Sequence, residues 1–157
     1  MGTEQDDPVM TRIGEAVALG HAGDAAAARQ RFVEIWEDIG PGGDPLHRCA
    51  VAHYAADVQE DPAEELRWDR LALVAADEVG GDRARAHHPS LDVAGFYPSL
   101  HLNLADVHRR LGDAEQAGQH LEQARASLGG LPDDGYGRMI RDGVQRCAAR
   151  VAAGDTA

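Results

Sequence analysis

Histidine is the residue type in this chain whose positions most directly suggest chemistry. The sequence contains eight histidines, and His101 and His108 are seven residues apart, which places them two turns apart on one helix face. His53 lies on a neighbouring predicted helix. Imidazole nitrogens and a carboxylate, such as that of Asp57 or Asp106, are suitable ligands for zinc or iron. One hypothesis is therefore a metal- or small-molecule-binding protein, or an enzyme, that uses His53, His101 and His108.

The spacing of the histidines favours a different interpretation. The sequence has no HExxH motif and no pair of histidines four residues apart. His101 and His108 are then expected to pack inside the protein as rings, each bonded to a backbone or carboxylate partner. The separate pair in His87-His88-Pro89 is interpreted as an exposed turn rather than a pH-sensitive latch, because Pro89 keeps His88 out of helical geometry. No metal or other cofactor is expected.

Signatures of covalent catalysis and of nucleotide binding are absent from the sequence. There is no GxSxG motif and no glycine-rich phosphate loop, and the chain has only three serines. Cys49 and Cys147 form no CxxC pair and lie among alanine and valine on predicted helices, which is typical of small buried thiols in a reduced protein. We predict that the protein is not an enzyme.

The net charge of the chain limits the classes of molecule that it is expected to bind. Fifteen basic residues, all of them arginine, stand against 27 acidic residues, so the net charge is −12. A chain this acidic repels phosphate groups, and neither nucleic acid nor a membrane is an expected partner. The polar, acidic start of the sequence does not resemble a signal peptide, and we predict a cytoplasmic location.

Short dipeptides mark where the helices begin and end. Asp-Pro occurs three times, and Asp caps the free N–H groups of a helix that Pro can begin without losing a hydrogen bond. In Gly23-Asp24 and Gly112-Asp113, glycine ends one helix and aspartate caps the next. No apolar alternation typical of strands is present. The predicted fold is all-α, with helices near 8–20, 24–39, 45–58, 62–79, 97–111, 113–129 and 134–153.

The first six helices are predicted to pair into three antiparallel hairpins, and the seventh to cap the array. We expect one domain over residues 7–153, with disordered tails at 1–6 and 154–157. A long connection at residues 80–96 separates the second and third hairpins, and such connections are uncommon unless they are functional or mobile. Trp36 and Trp68 are expected to fill the core, because the chain has few other aromatic residues.

The stretch Tyr97 to Leu128 resembles one tetratricopeptide (TPR) repeat. Leu104 and Ala105 match the large-small pair of the first repeat helix, and Gly112 matches the turn. Ala117, Leu121 and Ala124 match packing positions of the second helix. The whole chain is similar to small TPR-like proteins of actinobacteria. The resemblance implies a right-handed array of about three hairpins whose concave groove binds other proteins.

In such arrays the first helix of each hairpin lines the groove. The resemblance therefore implies a peptide-binding surface at Ser99, Leu102, Asn103, Asp106, Arg109 and Arg110. Asn103 could hold a peptide backbone, and Arg109 or Arg110 could bind a carboxylate in bidentate fashion. The family's carboxylate clamp uses a lysine on a neighbouring helix, which this chain lacks, although Arg48 could supply the charge. The alternative is an ordinary solvated helix face.

Two hypotheses result for the function. The favoured one is a non-catalytic adapter or regulator that binds a peptide segment of another protein in its groove. The other is the metal- or small-molecule-binding protein described above. A homodimer is also possible, in which a second copy of the chain covers an exposed terminal hairpin.

Overall fold

Helices form all of the regular structure in the part of the chain that the structure describes. A computed structural model describes residues 7–79 and 93–157, and within them the predicted all-α class is confirmed, with no strand. None of the helices in these ranges is long and apolar enough to cross a membrane. The α-helices are α1 (Pro8–His21), α2 (Ala25–Ile39), α3 (Pro45–Ala56), α4 (Pro62–Val79), α5 (Val93–Arg110), α6 (Ala114–Ser127) and α7 (Gly135–Ala152).

Aspartate begins the helices, as the dipeptides predict. The carboxylates of Asp7, Asp44 and Asp61 accept hydrogen bonds from main-chain N–H groups two residues later, at 3.1, 2.9 and 3.0 Å. These bonds satisfy N–H groups that have no partner inside the helix. The remaining N-caps are Asp24 for α2, Asp113 for α6 and Asp134 for α7.

Two Gly-Asp turns reverse the chain within hairpins. Gly23 and Gly112 adopt φ angles of 94° and 82°, which are costly for any residue with a Cβ. The N–H groups of Asp24 and Asp113 donate to carbonyl oxygens five residues earlier, at 3.0 and 2.8 Å. This pattern ends one helix and places the next capping aspartate immediately after it.

Helix α5 differs from its predicted bounds. The sequence predicted a start near residue 97, with Tyr97 and Pro98 at the entry of the helix. The helix begins instead at Val93, so both residues lie inside it. Pro98 has no N–H group, so one helical hydrogen bond is missing at this turn. Helix α7, predicted near 134–153, begins at Gly135, whereas α6 ends at Ser127 and continues as a 3₁₀ turn, Leu128–Gly130.

The helices pack in consecutive pairs. α1 packs on α2, α3 on α4 and α5 on α6, and turns of three to five residues make each pair antiparallel. Between pairs, α2 packs on α3 and α4 on α5, and α7 contacts both α5 and α6. The right-handed TPR-like arrangement of these pairs stays a prediction.

Alanine fills the places where helices cross. A side chain of one methyl group lets two helix axes approach closely, and the interior is then filled by the larger residues on either side. Wholly buried alanines occur on α2 to α6. They are Ala28, Ala52, Ala55, Ala72, Ala75, Ala76, Ala105, Ala117 and Ala124.

The two tryptophans lie in the core, as predicted. Trp68 is buried and Trp36 packs against the same cluster. Their ring centroids are 5.5 Å apart, with planes at 88°, so they meet edge to face. Such a pair contributes about 0.5–1.5 kcal/mol beyond the burial of its area. The contact joins α2 of the first hairpin to α4 of the second.

The two cysteines are buried free thiols, which confirms the prediction for both. Burial, followed by the charge of Asp77, raises the pKa of Cys49 to about 12. Burial is also the main cause that raises the pKa of Cys147. Both thiols are therefore protonated at neutral pH and unsuited to nucleophilic attack.

Close packing through alanine can be tested at Ala117, a wholly buried residue of α6, which packs on α5. We expect Ala117→Leu to lower the free energy of unfolding by about 1–3 kcal/mol, because the added atoms have no space between the two helices. Urea denaturation measures the change. The control is Ala126→Leu at an exposed site of the same helix, for which we expect a change within about 0.5 kcal/mol. Equal effects of the two substitutions would contradict the packing argument.

Candidate functional site

A groove between α5 and α7 is lined by three of the seven residues that were predicted to bind a partner. Its volume is about 260 Å³. We call it the α5–α7 groove and define it by its lining residues, which are Leu102, Asn103 and Asp106 on α5 and Gly143, Arg146, Cys147 and Arg150 on α7.

The helical period places each group of residues on one wall. On α7 the lining residues follow one another at intervals of three, one and three, so they share one face. Gly143 and Leu102 pack closely across the groove, since a Cβ at Gly143 would lie 2.8 Å from Cδ2 of Leu102.

Helix α7 gives the groove a basic wall. It carries four arginines and one acid, Asp142, although the whole chain has a net charge of −12. Arg146 and Arg150 are exposed at the groove. On the opposite wall, Asp106 is engaged by Arg109 and Arg110. The exposed charge available to a ligand in this groove is therefore positive.

Arg109 lies beside the groove and is buried, with 3% of its side chain exposed. Its Nε and Nη2 atoms donate to Oδ1 of Asp106 at 3.1 and 2.8 Å. Its Nη1 atom donates to the carbonyl oxygens of Asp155 and Ala157 at 2.8 and 2.9 Å. Residues 154–157, which the sequence analysis placed in a disordered tail, thus contact α5 through their main chain.

Three other predicted site residues lie outside the groove lining. Ser99 is buried on α5. Arg110 joins α5 to α4, since it donates to Glu65 and to Asp106. Arg48 pairs with Glu78 and lines a different cavity, which Trp36 also borders. The predicted surface is therefore brought together only in part, and the α7 residues of the groove were not predicted.

The interface of α4 and α5 contains a buried acid, Asp69. Neither of its carboxylate oxygens has a hydrogen-bond partner among the described residues, and the residue is wholly buried. Burial, followed by the negative charges of Glu65 and Asp57, raises the pKa of Asp69 to about 8 against the opposing charge of Arg110. Asp69 is therefore mostly protonated at neutral pH, which removes the cost of burying a negative charge.

Three histidine rings form a stack between α5 and α6. The ring of His120 lies 5.3 Å from that of His101 and 5.5 Å from that of His108, with planes inclined by 27° and 9°. Nδ1 of His101 is 3.0 Å from Nδ1 of His120. Burial, with the charges of its two neighbours, lowers the pKa of His120 to about 4, and burial also lowers the pKa of His101 and His108. The rings are neutral at pH 7 and pack as aromatic groups.

The alternative site at His53, His101 and His108 finds no support in the described residues. The ring of His53 lies against that of Tyr54, with centroids 5.2 Å apart. In residues 7–79 and 93–157 no group of three or more His, Cys, Asp or Glu side chains has a geometry that could hold a metal ion. His120 was not predicted to join His101 and His108, because its position opposite α5 depends on the packing of α6.

The predicted tail at residues 1–6 lies outside the described residues, and two further predictions fall wholly or partly outside them. His87-His88-Pro89 lies wholly outside them, and so does the connection from residue 80 to residue 92. The last four residues of that predicted connection, 93–96, form the beginning of α5.

Comparisons with protein-family models, curated proteins and solved structures find no match for this chain. The candidate site therefore rests on the geometry and charge of its own residues.

The buried acid predicts a pH dependence of stability. The folded chain holds a proton on Asp69 up to a pKa of about 8, whereas the unfolded chain releases it near 3.8, so stability falls as pH rises toward 8. Between about pH 6.5 and 8 we expect the free energy of unfolding of the wild type to fall by on the order of 1 kcal/mol because of Asp69. We expect this decrease to be absent from the Asp69→Asn variant. Urea denaturation at several pH values measures it.

The control for this experiment is Asp133→Asn, which changes an exposed acid. It should leave the pH dependence as in the wild type. If the Asp69→Asn protein loses as much stability over this pH range as the wild type, Asp69 is not the buried proton-binding group.

Proposed function

We propose that this protein is a non-catalytic binding module that holds an acidic segment of another protein in the α5–α7 groove. The observation that carries the proposal is the pairing of a narrow groove with the basic wall of α7, in a chain that is otherwise strongly acidic. A positive surface of this kind attracts carboxylate groups.

The chemistry of the groove suits a peptide. Asn103 presents an amide that can both donate to a main-chain carbonyl and accept from a main-chain N–H. Leu102 supplies an apolar contact between the polar residues. Arg146 and Arg150 can form bidentate hydrogen bonds with carboxylates of the ligand. A volume of about 260 Å³ accommodates a few side chains, so the ligand is a short segment rather than a folded surface.

The state of the ionisable groups supports a role without catalysis. The thiol of Cys147, which lines the groove, is buried, and burial raises its pKa. The stacked histidines lie between α5 and α6, and burial lowers their pKa values. A protonated thiol and neutral stacked rings are poor nucleophiles or acids at neutral pH, so binding is the activity that these residues favour.

The magnitude of the charge contribution sets an expectation for affinity. Exposed ion pairs contribute about 0.2–1 kcal/mol each, and they are screened by salt. Two arginines therefore supply selectivity and a faster association more than tight binding. We expect a transient complex whose affinity decreases as the ionic strength is raised.

Charge reversal in the groove tests the proposal. We expect the double substitution Arg146→Glu, Arg150→Glu to abolish capture of the partner from lysate of the native host, because the basic wall becomes acidic. The control is Arg125→Glu, Arg138→Glu, which makes the same change of net charge at exposed arginines outside the groove lining. Mass spectrometry identifies and quantifies the captured protein, and circular dichroism establishes that the variants are folded.

The control should retain the partner at the level of the wild type, apart from a modest loss of long-range attraction. Equal retention by the groove variant and the wild type would show that the partner binds elsewhere. Equal loss in both variants would show that only net charge matters, which also contradicts a specific groove.

A further inference from the structure

The segment after α7 follows a turn with the same hydrogen bonds as the hairpin turns. Gly154 has a φ angle of 70°, and its N–H donates to the carbonyl of Val151 at 3.1 Å. The N–H of Asp155 donates to the carbonyl of Arg150, five residues earlier, at 2.9 Å. Gly23-Asp24 and Gly112-Asp113 form the same two bonds. The turn is therefore specified by Gly154, and it directs residues 155–157 back toward α5.

Arg109 receives this segment through its main chain. The carbonyl oxygens of Asp155 and Ala157, two residues apart, both accept from Nη1 of Arg109. The carboxylate of Asp155 accepts from the N–H of Ala157 at 2.9 Å through one oxygen, and its other oxygen lies 4.0 Å from Nε of Arg150. One short acidic segment thus contacts Arg109 and approaches one of the two arginines that line the groove.

We propose that residues 154–157 are an intramolecular ligand that competes with the partner's acidic segment at this end of the α5–α7 groove. The inference rests on the proposed function and specifies the ligand further. The partner's segment then carries an aspartate or glutamate whose carboxylate pairs with Arg150. The main-chain oxygen of this acidic residue and that of the residue two positions later accept from Arg109.

The hydrogen-bond capacity of Arg109 requires competition rather than joint binding. A guanidinium has five N–H donors, and in Arg109 four hydrogen bonds to Asp106, Asp155 and Ala157 are formed. The guanidinium is also buried, so a second main chain cannot approach it from solvent. Because the occupying segment belongs to the same chain, its effective concentration is on the order of millimolar, and the partner must overcome it.

The test uses ¹⁵N-labelled protein and a synthetic peptide with the sequence of residues 152–157, Ala-Ala-Gly-Asp-Thr-Ala, amidated at its C-terminus. The protein is compared as the full chain and as a chain ending at Ala153, which keeps all of α7. We expect saturable shifts of the Arg109 and Arg150 side-chain Nε–H resonances in the shortened chain at peptide concentrations on the order of millimolar. In the full chain we expect binding weaker by about twofold or more, because the tethered segment, at an effective concentration similar to the dissociation constant of the peptide, occupies the site for about half of the time.

Two controls make the result specific. A peptide with Asn in place of Asp should bind the shortened chain more weakly, since it cannot pair with Arg150. The full-length Asp155→Asn variant, which leaves the length of the chain unchanged, should bind the unaltered peptide better than the wild type does, and a full-length Thr156→Ala variant should not, because Thr156 is exposed.

Equal binding of the peptide to the full and shortened chains, or no binding to either, would overturn the inference. That outcome leaves the proposed function standing if capture of the partner still depends on Arg146 and Arg150. If capture does not depend on these two arginines, the proposed function is wrong whatever the peptide does.

Discussion

The fold depends on the close approach of neighbouring helices through alanine. A helix of about 14 residues is marginal in water, and its stability comes mainly from the face that it packs against others. In this chain that face is built from methyl groups, such as those of Ala28, Ala72 and Ala117, with a few large residues between them. Small side chains bring the helix backbones together, and this proximity determines which polar residues become buried.

The buried polar groups follow from this geometry. Where α4 meets α5, Asp69 is enclosed without a hydrogen-bond partner among the described residues and is accommodated by holding its proton. On the same face of the interface, Arg110 pairs with Glu65 and Asp106. The buried guanidinium of Arg109 donates hydrogen bonds to the carboxylate of Asp106 and to two main-chain oxygens. Charge near α5 is therefore organised by direct pairing, whereas Arg146 and Arg150 of α7 are exposed at the groove.

Much of the architecture could be predicted from local sequence because its signals act within a few residues. The aspartate caps and the Gly-Asp turns specify helix bounds without reference to the rest of the chain. The predicted start of α5 was wrong for a related reason. Tyr97-Pro98 has a local sequence typical of a helix start, yet the helix begins at Val93. The turn at Gly154-Asp155 was missed because no predicted helix follows it.

The site could be predicted only in part because it depends on how separate helices meet. Asn103 and Asp106, which line the groove, were predicted as binding residues only from the resemblance to a TPR repeat. Arg146 and Arg150 join them only through the packing of α7 on α5, and His120 joins His101 only through the packing of α6. No local pattern determines these contacts. A signal for the groove was nevertheless present, namely four arginines on one helix of an acidic chain.

The central claim is that the α5–α7 groove is the surface in contact with the partner, and site-specific photo-crosslinking tests it most directly. A photoreactive residue replaces Asn103 in the groove, or Val33 at an exposed site of α2, in cells of the native host. The account predicts that the photoreactive residue at position 103 crosslinks one protein and that the residue at position 33 does not crosslink that protein. The same product from both positions, or a product from position 33 alone, would contradict it.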